Sequence, residues 1–301
     1  MNRLVKNTVI ILLGVALLAC GANGYVIGVL YERLDDEIEK SIREYADLTP
    51  GQDAWLKEEV AAFHYWHRTT QLPRYADWAR TSLLPLVTSD HVNRLNVDQI
   101  VLDGIAFSDD FNAEFPINKS PEILLSIMPD QMIQARAHVE EIYLEAGERR
   151  DKRTQEARVE RQVDRMTSAF KQIGWRLSAE QKGIMTRHFE GRAIGDDDEG
   201  EDWSLWHEWV QQLFAILERK KLGQENDPAN IAELKGHLAI GNRLTQHRSP
   251  ETWQKNLDRF QSMIHTLLGS MTDKQKLAVE VRMLAIADIL DELSQKGVEP
   301  G

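Results

Sequence analysis

The chain has 301 residues, of which 42% are hydrophobic and 28% charged, and this composition is typical of a folded protein. Its formal charge of −12 argues against nucleic acid and anionic lipid headgroups as general partners, because a surface of that sign repels them. Cys20 is the single cysteine, so a disulfide within the chain is excluded.

The first nineteen residues have the order of a secretory signal: Arg3 and Lys6, then an unbroken apolar run, then small residues and a cysteine. The run Leu17-Leu18-Ala19-Cys20 resembles a bacterial lipobox. The resemblance implies cleavage before Cys20, lipidation of that cysteine, and anchoring by acyl chains such as palmitate. We therefore predict a signal peptide over 1–19 and a bilayer contact through lipidated Cys20, since each buried methylene contributes about 0.8 kcal/mol.

Apolar character resumes after Cys20, which leaves an alternative. Residues 8–30 are long enough to span a bilayer as an uncleaved anchor, because about 20 apolar residues suffice. Gly21 follows the cysteine where an aspartate would favour retention in the inner membrane. The expected location is the periplasmic face of the outer membrane, and an inner-membrane signal anchor is the alternative. Both place the body in the periplasm, with Arg3 and Lys6 inside.

The mature chain is predicted to be all-α. Apolar residues recur at alternating spacings of three and four, as in Val163, Met166, Phe170, Ile173 and Leu177. We expect an elongated bundle of roughly seven to nine helices. The predicted division is a first helix within 20–46, an N-terminal helical subdomain over 47–125, and a C-terminal helical subdomain over 126–298 that contains a long charged helix.

Three sequence motifs predict helix starts of the capping-box type, in which a hydroxyl at the N-cap is followed three residues later by glutamine. They are Thr49 with Gln52, Ser178 with Gln181, and Thr272 with Gln275. Pro73 is predicted to kink or break the helix that begins near Pro50, because proline removes a backbone hydrogen bond.

Three further segments carry local signals. Residues 104–119 contain Gly, Asn, Asp and Pro and predict an irregular connection. Residues 147–162 hold charges of both signs and predict an exposed stretch of one long helix. Residues 195–202 read GDDDEGED and predict an acidic loop. That loop has oxygen ligands for Ca²⁺ but lacks the EF-hand spacing, so a solvated loop is the preferred interpretation.

No catalytic, cofactor or metal motif is apparent in the sequence. His64 and His67 share a helix face, but no further ligand accompanies them, so we interpret them as surface or interface histidines. We predict no cofactor. Tryptophans concentrate in two stretches, 55–78 and 203–209. They suit helix packing, and the alternative is an apolar groove for a chain, a lipid or a partner helix.

Two stretches carry a family resemblance: YERLDDEIEKSIREYADLTPGQ with WHRTTQLPRY in the first quarter, and WRLSAEQKGIM with MTDKQK later. They resemble an uncharacterised family of lipoproteins from Gram-negative bacteria, a domain of unknown function. The most specific residues are Trp66, His67, Arg68, Leu72-Pro73 and Tyr75. The resemblance implies an all-helical, lipidated protein and no established activity. We take Trp66, His67, Arg68 and Tyr75 as a candidate binding surface.

The capping-box motifs also resemble the LTxxQ motif of Spy/CpxP-type periplasmic chaperones, which are small helical cradles for unfolded clients. The leading hypothesis is therefore a non-enzymatic envelope lipoprotein that binds envelope proteins as a chaperone or adaptor. The alternatives are a helical enzyme acting on envelope lipid or polymer, with His67 as an acid–base group, and a purely structural envelope spacer.

Overall fold

A computed structural model describes residues 28–29, 31–191, 198–219 and 227–296. Within these ranges the fold is elongated and all-α, without a β-strand, and the predicted fold class is confirmed. None of the helices in these ranges is long and apolar enough to cross a membrane. The α-helices in chain order are α1 (Leu34–Arg43), α2 (Pro50–Trp66), α3 (Leu72–Trp78), α4 (Leu84–Thr88), α5 (Arg94–Glu114), α6 (Pro116–Lys119), α7 (Glu122–Leu125), α8 (Pro129–Asp151), α9 (Gln155–Gln172), α10 (Ala179–Glu190), α11 (Asp198–Arg219), α12 (Pro228–Ala239), α13 (Leu244–Arg248), α14 (Pro250–Gly269) and α15 (Asp273–Gln295).

The described ranges contain more helices than the seven to nine predicted, because several connections are themselves helical. Residues 104–119 are not an irregular connection, since α5 continues to Glu114 and α6 follows at once. Gly104 lies inside α5 with open space around it, so the helix tolerates it. The turn-forming residues are outweighed by packing of α5 against the core.

The charged segment 147–162 is two helices and not one. α8 ends at Asp151, and α9 begins at Gln155 behind an N-cap at Thr154, whose hydroxyl accepts a hydrogen bond from the Ala157 N–H at 3.3 Å. Part of the predicted acidic loop is also helical, since α11 begins at Asp198. Residues 195–197 lie outside the described ranges.

Pro73 interrupts the α-helical hydrogen bonds but does not end the helix. His67–Gln71 form a π turn, in which the Leu72 N–H donates to the His67 carbonyl, five residues back. The wider turn accommodates the proline ring, which has no N–H to donate. The same arrangement precedes Pro85, and the chain stays helical from Pro50 to Thr88. The predicted disturbance therefore takes the form of a π turn.

Two apolar clusters hold the helices together. The larger joins α1 to α5 with α9, α10, α14 and α15, and the smaller joins α7, α8, α11 and α12. The larger cluster contains helices from both sides of residue 125, and the predicted division into subdomains stays a prediction. Helices from the last third of the chain pack against the N-terminal helices, and this pairing depends on the tertiary fold.

Candidate functional site

The predicted lipidation site, Cys20, lies outside the described residues, so its modification stays a prediction. The described chain begins at Gly28, beside the C-terminal end of α15. A β-carbon placed on Gly28 would lie 3.8 Å from Leu293 Cδ2 and 3.6 Å from Lys296 Nζ. Tyr31, three residues later, is buried. The segment that follows the predicted anchor therefore enters the body at the end of its last helix.

Tyr31 and His67 form a buried polar pair between this segment and the first π turn. The Tyr31 hydroxyl lies 3.0 Å from His67 Nδ1, and the two residues are 2% and 1% exposed. Burial and, to a smaller extent, the neighbouring His64 lower the pKa of His67 from 6.5 to about 3, so the imidazole is neutral. Burial raises the pKa of Tyr31 well above its usual range, so its hydroxyl stays protonated.

Arg68 connects the first π turn to the segment that begins at Gly28 and to the C-terminal end of α15. Its guanidinium donates to Glu32 at 2.7 Å and to the carbonyl oxygen of Lys296 at 2.8 Å. It also lies 5.4 Å from the centre of the Tyr31 ring. A planar guanidinium can bind a carboxylate, a carbonyl and an aromatic face at once, which a lysine cannot match. One side chain of the long helix thus holds both the entering segment and the end of α15.

His64, one turn before Arg68, completes this junction. Its Nδ1 lies 2.5 Å from the Asp35 carboxylate, and its Nε2 lies 3.3 Å from the Arg68 guanidinium. His64 and His67 are both buried, so their interpretation as surface or interface histidines is wrong. Their partners are a carboxylate and a phenol. In the part of the chain that the structure describes, no group of three or more His, Cys, Asp or Glu is arranged to hold a metal.

Aromatic rings from α2, α3 and α5 enclose His67 on several sides. Ring centres of Phe63, Trp66, Tyr75 and Phe111 lie 5.8 to 6.3 Å from its own. Burial raises the pKa of Tyr75 to about 12. Of the residues taken as a candidate binding surface, His67 is buried, and Trp66, Arg68 and Tyr75 are half-buried. They form an internal junction rather than an open surface.

Sequence reasoning missed a repeat that contains this junction. The segment WHRTTQLP at Trp66–Pro73 recurs twelve residues later as WARTSLLP at Trp78–Pro85. Each copy contains a π turn followed by Leu-Pro, and each arginine binds an acid from another part of the chain. Arg80 lies 2.8 Å from Asp288 and 2.7 Å from Asp291 on α15. The shared Trp-x-Arg-Thr and Leu-Pro spacing was the available signal.

Thr49, Ser178 and Thr272 are the N-caps of α2, α10 and α15. Each is followed by its predicted glutamine at the third helical position, and each motif forms a capping box. The glutamines do more than cap, because they bind one another across helices. Gln181 Nε2 lies 3.2 Å from Gln275 Oε1, and Gln275 Nε2 lies 2.9 Å from Gln181 Oε1. Gln181 also donates to Ser270, and Gln275 donates to the Arg176 carbonyl. The starts of α10 and α15 are thereby fixed together.

The start of α2 is held in the same way by a partner that the sequence motifs did not identify. Gln52 and Gln131 exchange amide hydrogen bonds of 3.2 and 2.7 Å, and Ser126 and the Asp47 carbonyl accept the remaining N–H groups. Ser126 precedes Gln131 by five residues, as Ser270 precedes Gln275. The chain therefore contains one paired-glutamine arrangement twice. The five-residue spacing from a serine could have revealed Gln131. The capping-box motif could not, because Met128, three residues before Gln131, carries no hydroxyl.

We expect Gln181→Ala to reduce the free energy of unfolding by about 2 kcal/mol, because it removes the acceptor of the Ser178 N–H and both hydrogen bonds with Gln275. Gln275→Ala should behave similarly, and the double variant should cost less than the sum by about 1 kcal/mol. Urea unfolding of the three variants measures this coupling. Gln254→Ala, on an exposed face of α14, is the control and should change stability little. If the losses of stability in the two single variants simply add in the double variant, the hydrogen bonding between Gln181 and Gln275 is contradicted.

The tryptophans do not line an open groove in the described ranges. Trp55, Trp66, Trp78, Trp203, Trp206 and Trp209 are all half-buried. Trp209 is typical: its indole N–H donates to the His237 carbonyl at 3.0 Å, and its ring stacks on the His237 ring at 5.1 Å. These side chains connect helices, as the packing interpretation predicts.

A cavity of about 310 Å³, lined by both polar and apolar side chains, lies between the second π turn and α5. Its lining includes Thr81, Ser89, His91, Gln99 and Asp103, and Asp103 already accepts a hydrogen bond from the Trp78 indole at 2.9 Å. His67 does not line it. The cavity therefore does not join the buried histidine to an acid, as acid–base catalysis at His67 would require.

The chain belongs to a family of unknown function, DUF6279, whose model matches residues 44–238. The matched range includes the repeat, His64, His67 and Arg68 of the junction, and two of the three predicted capping boxes, whereas Tyr31 and Glu32 lie before it. No curated protein and no solved structure matches the chain.

Proposed function

Since membership of a family of unknown function assigns no activity, we propose that this chain is a lipoprotein of the cell envelope whose helical body binds other proteins without catalysis. The observation that carries the proposal is the position of Cys20. It is the only cysteine, it ends an apolar run, and it lies eight residues before Gly28, where the chain meets the body. Acyl chains on such a residue would hold the body at the periplasmic face of the outer membrane.

The histidine junction supports a tethered body. A protein held by its N-terminus needs the segment after the tether to be fixed to the fold, or the anchor would not set the orientation of the body. Tyr31 and Glu32 lie in that segment and bind His67 and Arg68. We propose that the residues taken as a binding surface serve this purpose.

The chemistry of the junction supports a role without catalysis. A general base must reach the proton that it removes and must be able to take it up near neutral pH. His67 is 1% exposed, its pKa is lowered to about 3, and aromatic rings surround it. Such a group is suited to packing and hydrogen bonding, which favours protein binding over the enzyme hypothesis.

Protein binding takes support from apolar side chains left in solvent. Leu95 and Leu144 are each more than 60% exposed. The glutamines of the LTxxQ-like motifs are used inside the fold, so their likeness to the chaperone motif reflects helix starts. We therefore prefer an adaptor with few partners to a chaperone with many. A structural spacer is the remaining alternative.

Labelling cells with radioactive palmitate is expected to mark the wild-type chain and to leave Cys20→Ser unlabelled, because lipidation requires the thiol. Membrane fractionation should show the wild type in the outer membrane. An unlabelled wild-type chain that still sediments with membranes would favour the signal anchor and overturn the lipoprotein proposal.

Crosslinking and mass spectrometry in intact cells would test the protein-binding role. One or two recurring envelope partners are expected for an adaptor, and a broad set of partners for a chaperone. Suppression of client aggregation by the purified full chain would favour the chaperone. If neither partners nor suppression is found, the protein-binding proposal fails.

A further inference from the structure

Helix α15 carries apolar side chains on two faces. Val279, Met283, Ile286 and Leu290 are buried in the larger cluster. Leu277, Val281 and Leu284 lie on the opposite side and are 61%, 61% and 40% exposed. Their spacing of four and three places them on one stripe of the helix. A single exposed apolar residue needs no explanation, but a contiguous stripe indicates a partner.

The residues around this stripe are arranged symmetrically about Val281. Lys274 lies seven residues before it and Asp288 seven after it, and both are exposed. Seven residues are close to two turns, so both charges point within about 20° of the direction of Val281. The stripe therefore carries a positive charge at one end and a negative charge at the other, at equal distances of about 10.5 Å from its centre.

We propose that this stripe, defined as Lys274, Leu277, Val281, Leu284 and Asp288, pairs with the same stripe of a second copy of the chain, with the two α15 helices antiparallel. A two-fold axis at Val281 brings Lys274 of each copy level with Asp288 of the other. Leu277 then lies within one residue rise of the other copy's Leu284. This is an isologous contact, in which one surface is complementary to itself.

Small residues permit the two helices to approach closely. Ala278 lies three residues before Val281 and Ala285 four after it, and both are exposed. In the antiparallel pair these alanines occupy one side of the seam, while the leucines fill the other. Interaxial distance depends on the side chains at the contact, so a row of alanines favours a short one.

Charge selects a second copy over a lipid surface. Helices that lie on membranes carry lysine and arginine along the polar edge of the apolar face. Here the exposed charged residues of α15 are three acids, Asp273, Asp288 and Glu292, and one lysine, Lys274. Asp288 also binds Arg80 at 2.8 Å, which holds its carboxylate in place at the end of the stripe. The area of this stripe is small compared with the roughly 800 Å² that each partner buries in a stable dimer. The pair should therefore be weak and reversible.

A single cysteine at the proposed axis tests the pairing. In a Cys20→Ser background, Val281→Cys leaves one thiol, which would face its own copy. Oxidation of the purified full chain should give a disulfide-linked dimer at least ~10-fold faster than the matched control, Cys20→Ser with Ile133→Cys. Ile133 on α8 is 70% exposed and lies outside the stripe, so a thiol at that position is at least as accessible.

Charge exchange tests the register of the pair. In the Val281→Cys chain, adding Lys274→Asp should slow the crosslinking by ~10-fold, because two acids then face each other at each end. Adding Asp288→Lys as well should restore the rate, and Asp291 still holds Arg80 at 2.7 Å in that variant.

Two outcomes would overturn the pairing. One is an equal rate of crosslinking for the Val281→Cys chain and the Ile133→Cys control. The other combines two results: the Val281→Cys chain forms no disulfide-linked dimer, and the purified full chain floats with lipid vesicles. In that case Val281→Asp should abolish the flotation. The second outcome would assign the stripe to a lipid surface.

Discussion

Gly174→Ala is expected to reduce the free energy of unfolding by at least about 3 kcal/mol. Gly174 follows α9 with φ at +87°, a conformation that a residue with a β-carbon adopts only with strain. A β-carbon there would also lie 2.6 Å from the carbonyl oxygen of Ala278 in α15. Backbone cannot rotate away as a side chain can, so α9 and α15 would have to separate.

The turn at Gly174 has further contacts that such a separation would break. The Trp175 N–H donates to the Phe170 carbonyl at 2.9 Å, and the Gly174 N–H donates to the Lys171 carbonyl at 3.1 Å. The Phe170 and Trp175 rings lie 4.7 Å apart, which is the apolar contact that accompanies this type of helix end.

Urea unfolding followed by circular dichroism measures the cost, and Gly147→Ala is the matched control. Gly147 lies inside α8, and a β-carbon added to it would meet nothing within 4 Å, so alanine should stabilise the chain by about 0.5–1 kcal/mol. Similar effects for the two substitutions would show that the close approach at Gly174 is not as described.

Acid is expected to destabilise the fold through His67. The pKa of this histidine is 6.5 in an ordinary environment and about 3 in the fold. Between these values the unfolded chain binds a proton that the folded chain does not. The free energy of unfolding therefore falls as the pH is lowered from 6.5 toward 3, by up to about 1.4 kcal/mol per pH unit from this group.

His67→Gln should reduce the slope of the free energy of unfolding against pH by an amount equivalent to up to one bound proton. This variant is also expected to be less stable than the wild type at pH 7. Urea unfolding at several pH values between 6.5 and 4.5 measures the slope. His247→Gln is the control: His247 is exposed in the fold, as it is in the unfolded chain, so the slope should not change. An unchanged slope in His67→Gln would contradict the burial of a neutral imidazole.

Local signals were reliable where a few neighbouring residues decide the outcome. A hydroxyl at an N-cap and a glutamine at the third helical position satisfy each other's backbone groups, so Thr49, Ser178 and Thr272 could be identified without the fold. Local signals failed for residues 104–119, where glycine and asparagine suggest a loop. There the packing of Val97 and Phe111 against the larger cluster keeps α5 helical through Gly104.

The candidate site shows the same limit. The sequence singled out Trp66, His67, Arg68 and Tyr75 but placed them on a surface. His67 continues the buried stripe of α2, since it follows Leu56, Val60 and Phe63 at spacings of four, three and four. Its partner Tyr31 lies 36 residues away in the chain. No periodicity in the sequence encodes a contact between two such distant residues.

The amino-acid sequence by itself determined the all-α class, the capping boxes and the interruption at Pro73, because each depends on hydrogen bonds within one turn or on apolar spacing along one helix. Only the tertiary structure decided that Gln52 pairs with Gln131, that His67 is neutral and enclosed, and that Leu277, Val281 and Leu284 are left in solvent. These outcomes depend on which helices meet, and helix pairing is set by the packing of whole faces across long separations in the chain.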